Sequence, residues 1–136
     1  MNVDVVMLVK ESSMEKMDCG NAIAGELDAH APICIAFHSM PEMFVERDGE
    51  HVTIWSRLGC AGESQLARCA FDLLAYQLPR GSDAFASRRP LLSFVDDALV
   101  LHGRVEPRCL ADAEGFTEAL ETFYADLCAV SEILAR

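Results

Sequence analysis

What this 136-residue chain has little of narrows its reading first. Basic residues are scarce, 11 Lys and Arg against 22 Asp and Glu, for a formal charge of -11 and a pI near 4.6. Such a surface repels nucleic acid and anionic membranes rather than collecting them, so neither is expected as a partner. No apolar run approaches the roughly eighteen residues of a membrane span. The short run Val5 to Val9 has no basic stretch before it and is too brief for the core of a secretion signal, so the chain is expected to stay in the cytoplasm. The six cysteines Cys19, Cys34, Cys60, Cys69, Cys109 and Cys128 contain no C-x-x-C pair, the pattern of reduced, core-like thiols.

Catalytic signatures are equally thin. Cys34 and His38 would share a strand face but stand about 13 Å apart along it, too far to chelate one ion unaided. In the stretch LGCAGES, Cys60 sits before a helix start that could lower a thiol pKa, yet a glycine turn into a helix explains it more simply, and the lysine of a phosphate-binding loop is missing. Asp96 and Asp97 suit a hairpin turn and need no catalytic part. The expectation is a protein that is not an enzyme, with no metal, no cofactor and no catalytic residues. A small thiol or metal enzyme remains a remote alternative.

What is present is a core. The composition is 51% hydrophobic, ample for one packed domain spanning 1–136. Net charge is -4 over residues 1–31, -2 over 32–104 and -5 over 105–136, so the acid excess sits at the two ends. Ser12 to Glu15 spell a possible capping box for a helix over about 13–29, which Gly20 and Gly25 weaken. Alternating residues predict strands at 33–38, 43–47 and 51–58, the last two joined at Asp48 and Gly49. A helix opens at Glu63 and Ser64 and ends before Pro79; strands at 91–95 and 99–105 form a hairpin about Asp96 and Asp97. Residues 112–136 then read as an acidic amphipathic helix capped by Asp112, with Phe116, Leu120, Phe123, Leu127, Val130 and Leu134 in one stripe. The expected fold is α+β: an antiparallel sheet of about five strands with three helices in the order α-β-β-β-α-β-β-α.

The middle helix is apolar around most of its circumference. Between Leu66 and Leu78 only Arg68, Asp72 and Gln77 are polar. Leaving Phe71, Leu74 and Leu78 in water would forgo about 1.5–3 kcal/mol each, so a second cover is expected. A partner subunit would supply it, although a helix sandwiched within its own chain stays open.

This whole pattern resembles the customised (class I, Tir/SycE/SicP-like) chaperones of bacterial type III secretion. The stretch that carries the resemblance is 89–134: RPLLSFV, a DD turn, ALVLHGRV, then PRCLADAEGFTEALETFYADLCAVSEIL, with Phe116 and Phe123 spaced as the family's closing helix spaces its aromatics. It covers nearly all the chain after residue 31. Before that, glycines, a serine pair and a valine run stand where the family has a leucine-rich first helix.

The resemblance implies an ATP-independent bacterial virulence chaperone, a homodimer that holds the amino-terminal segment of a secreted effector in extended form for protein transport. It implies effector contacts among Ile33, Ile35, Phe37, Phe44, Ile54 and Trp55, and a dimer interface of Leu66, Ala70, Phe71, Leu74, Leu78, Leu92 and Phe94. Trp55 is the best single choice, since it shares the more polar face of its strand with Thr53 and Arg57. A dimeric α/β scaffold or regulatory module binding folded partners is the alternative.

Overall fold

The computed structural model describes the backbone of Ile23–Ala24 and residues 32–37, 39–59 and 62–136. Six strands are present: β1 (Ile23–Ala24), β2 (Ile33–Ile35), β3 (Met43–Asp48), β4 (His51–Leu58), β5 (Leu91–Val95) and β6 (Ala98–Arg104). Helix α1 (Glu63–Gln77) falls between β4 and β5, and a 3-10 turn (Pro107–Leu110) leads into helix α2 (Ala113–Leu134). The strands form one sheet in the order β1-β2-β3-β4-β6-β5, antiparallel at every step. The α+β class and the antiparallel sheet are as the sequence pattern predicts.

The helix expected over 13–29 needs correction. Ile23 and Ala24 are extended and pair with Ile35 and Cys34, adding a sixth strand to the sheet. A β-branched residue flanked by glycines loses little by leaving a helix and gains the hydrogen bonds of the β2 edge. The rest of that proposed helix lies outside the described residues.

Turn chemistry sets both hairpins. β3 and β4 join through Gly49 and Glu50, with Gly49 at φ 64°, one residue later than the expected Asp48–Gly49 turn. β5 and β6 join through Asp96 and Asp97, at φ 51° and 65°. Two left-handed residues give the turn a twist that matches the strands, and Asp is among the few side chains that tolerate that region.

One sheet face makes the core. Ile33 and Ile35, Met43 and Val45, Val52, Ile54 and Leu58, and Leu99 and Leu101 turn toward α2, whose whole predicted stripe is buried against them. Asp112 caps α2 as expected, accepting from the Gly115 amide at 2.7 Å. At Gly103 on β6 a Cβ would stand 2.6 Å from the Phe85 ring, so only glycine lets that buried ring close the sheet's end.

Helix α1 leans on α2. Its N-cap is Gly62 at φ 120°, a residue with no side chain to offer as a cap. Gln65 Nε2 donates to the Leu134 carbonyl at 2.8 Å, and the Tyr76 hydroxyl donates to Asp126 at 2.7 Å. Arg80 adds an ion pair to the same carboxylate at 2.9 Å, and its guanidinium lies 4.9 Å from the Tyr76 ring centroid. Of the helix's own residues only Cys69 and Leu73 are buried.

Candidate functional site

Among the described residues no element covers the sheet face opposite α2. Strand alternation sends Phe44, Glu46, Thr53, Trp55, Arg57, Val100 and His102 to this side while their neighbours enter the core. Pairing registers align Cys34, Phe44, Trp55, His102 and Leu91 in one row across five strands. Phe44 and Trp55 stack in the middle of it, ring centroids 4.2 Å apart and planes 17° apart.

Two shallow cavities flank that stack. The first, about 560 Å³, is lined by Ala36, Phe37, Met40, Pro41, Glu42, Phe44, Trp55 and Arg57. The second, about 470 Å³, is lined by Glu46, Thr53, Trp55, Arg57, Ser93, Val95, Val100 and His102. Trp55 and Arg57 form the ridge they share. Apolar walls with a few polar groups suit side chains of a bound polypeptide.

The polar groups here are quiet. Ser93 Oγ and His102 Nε2 lie 2.8 Å apart, and burial holds the imidazole below its ordinary pKa, so it is neutral at pH 7. Cys34 Sγ donates to Glu42 at 3.0 Å; burial, then that carboxylate, pushes the thiol up to about 11. A thiol so held stays protonated and is a poor nucleophile. Among the described residues no three His, Cys, Asp or Glu side chains group to hold a metal ion, and no helix is long and apolar enough to cross a membrane. His38 and Cys60, weighed above for chemistry, lie outside the described residues.

The residues named from sequence for effector contact divide. Phe37, Phe44 and Trp55 come together around the first cavity. Ile33, Ile35 and Ile54 face the opposite side and are buried core, which corrects their place in the set. The reason is register: Ile33 and Ile54 both pair with Val45 on the α2 side, one residue out of phase with Phe44 and Trp55. Phe37, two residues past the end of β2, keeps the phase of Ile33 and Ile35: its ring packs toward Tyr124 of α2, centroids 4.9 Å apart, while it also lines the first cavity. Nothing in the sequence singles out Met40, Glu42, Ser93, Val100 and His102 as site residues. Alternation within β4 could group Thr53, Trp55 and Arg57, but only the non-local pairing of β4 with β6 brings Val100 and His102 beside them.

The residues named for a dimer interface lie on α1 and β5 and differ in exposure. Phe71, Leu74 and Leu78 on α1 are 81%, 55% and 65% exposed. Leu66, Ala70 and Leu92 are half-buried, and Phe94 is exposed on edge strand β5, on the sheet face opposite to Leu91 and Val95.

An antiparallel sheet with one face packed and one face apolar and open defines a small α+β binding protein. The chain belongs to the Invasion protein B family, whose model matches residues 18–106, and is thus a type III secretion chaperone rather than an enzyme. It is 28% identical over 135 residues to the surface presentation of antigens protein SpaK of Salmonella typhimurium, and equally to that of Salmonella typhi, covering 99% of this chain and 98% of each relative. Its fold is similar to a chain of the heterodimeric ExoU–SpcU complex from the type III secretion system of Pseudomonas aeruginosa. That match has a TM-score of 0.55 at 15% identity, over 82% of this chain and 87% of the other. A chain of the HopA1–SchA chaperone–effector complex is similar too, with a TM-score of 0.55 at 12% identity, over 96% of this chain and 99% of the other.

Proposed function

We propose that this chain is an ATP-independent chaperone, a single domain over 1–136, that acts in the bacterial cytoplasm. It holds the amino-terminal segment of a secreted effector in extended form until export. The observation that carries this reading is the open sheet face, where the Phe44–Trp55 stack stands between two apolar cavities. An unfolded segment laid there would bury its own apolar side chains at about 25 cal/mol per Å², with no nucleotide required. The effector contacts then narrow to Phe37, Phe44 and Trp55, with the cavity walls around them. The structures similar in fold include one described as a chaperone–effector complex, which fits a client of this kind.

A homodimer is part of the same proposal. Phe71, Leu74 and, at its C-cap, Leu78 present a continuous apolar stripe along α1, and β5, which bears Phe94, is an end strand of the sheet among the described residues. A second copy packed over both would remove these side chains from water.

The test is co-expression with the product of a neighbouring gene for a larger secreted protein, followed by limited proteolysis. Protection of its first hundred or so residues is expected. A complex that forms only with a folded domain would replace the holder with a scaffold.

A further inference from the structure

Resting on the open face as the client site, we propose that this face selects an extended segment of the pattern apolar-x-acidic-x-apolar, whose central carboxylate is received by Arg57. Arg57 is exposed, lines both cavities and, among the described residues, is the only Lys or Arg in either lining. Among the described residues no carboxylate pairs with it. Each cavity has instead its own acid, Glu42 in the first and Glu46 in the second. A client carboxylate is therefore repelled where the apolar anchors sit and attracted at the ridge between them.

Spacing fits the same pattern. The first cavity is walled by the β2–β3 connection and Phe44 of β3, the second mainly by residues of β6 and β5 with Glu46 and Thr53 at its rim, and the two meet at Trp55 and Arg57 of β4. Strands stand about 4.8 Å apart, so the anchors are separated by two to three spacings, roughly 10–14 Å. In an extended chain residues i and i+4 are about 13 Å apart and point the same way as i+2. A segment crossing the strands thus sets two apolar side chains into the cavities and its central one over Trp55 and Arg57. In a protein of net charge -11 this local cation gives an acidic client residue a defined position instead of general repulsion.

The experiment uses the full chain and three fluorescein-labelled dodecapeptides, identical except at the centre of a leucine-serine-X-serine-leucine core, with X aspartate, asparagine or lysine. Binding is read by anisotropy at low salt. Wild type should prefer the aspartate peptide to the lysine peptide by about fivefold or more, a margin that shrinks as salt is added. Arg57→Gln should flatten the series and Arg57→Glu should reverse it, both with unchanged circular dichroism, since Arg57 is exposed. Trp55→Ala should weaken all three peptides alike. An aspartate preference that survives Arg57→Glu, or wild type that does not favour aspartate, overturns the assignment while leaving the groove in place. Peptide binding untouched by Trp55→Ala would instead overturn the client site itself.

Discussion

Replacing Asp126 by Ala should destabilise the fold by about 2–3 kcal/mol, because it unties α1 from α2. The Asp126 side chain is 8% exposed, and its carboxylate accepts from the Tyr76 hydroxyl at 2.7 Å and from Arg80 at 2.9 Å. Without it the half-buried Tyr76 hydroxyl has lost its partner, at a cost of about 1–3 kcal/mol. Arg80 contributes less, since its side chain is 42% exposed and recovers water, so that pair is worth no more than about 1 kcal/mol. Asp126→Asn keeps an acceptor for Tyr76 and should cost about half as much. Urea unfolding at fixed protein concentration would read this: with a slope of about 2 kcal/mol per M, the alanine variant should lose about 1–1.5 M of midpoint. A midpoint within about 0.3 M of wild type, or asparagine as costly as alanine, would refute the account.

Other expectations follow from the same packing. Leu74→Asp changes an exposed residue, so it should leave helical content intact and convert a dimer to monomer by light scattering; an unchanged dimeric mass would sink the α1 interface. Burial, and next the Asp126 carboxylate, hold the Tyr76 phenol above its ordinary range. The unfolded chain then ionises first, near pH 10, so this contribution is present below that pH and lost as pH rises toward the higher folded value. The stability advantage of wild type over Tyr76→Phe should accordingly shrink from about pH 9.5 to 11, and a constant gap in urea midpoints would contradict it. Gly103→Ala drives a methyl into the Phe85 ring and should cost about 1–3 kcal/mol, with much of the loss restored in a Phe85→Leu background.

Local chemistry made most of the elements readable. Asp112 before an apolar stripe places α2, and the Asp96–Asp97 pair places the β5–β6 hairpin, because cap and turn preferences act within a few residues. The faces of the strands were harder. Ile33, Ile35 and Ile54 look as suited to a groove as Phe44 and Trp55 until register decides which set meets α2, and register is a property of two strands together. His102 is the clearest case: nothing near it in the sequence suggests that it stands beside Trp55 and within hydrogen-bond distance of Ser93. Arg57 was visible as Trp55's companion on the polar face, but its place between two cavities depends on strands distant in sequence on either side.

The two apolar surfaces differ in how they could be used. The aliphatic and aromatic side chains of the α1 stripe stand in water, Phe71 at 81% exposed, on the outside of a helix, which favours packing against the same stripe of a second copy over a thread of polypeptide. The open sheet face is concave on both sides of the Trp55–Arg57 ridge and carries polar groups at fixed positions, which favours a narrow guest read residue by residue. A holder with so much apolar surface risks self-aggregation, and the acid excess of the chain opposes it by repulsion between molecules. On this reasoning a charge-neutralised variant, with Glu114, Glu118 and Glu121 on α2 changed to Gln, should keep its melting temperature and lose solubility in the absence of client. Light scattering that stays flat at rising concentration would show instead that the acidic coat serves some purpose other than keeping the empty chaperone dispersed.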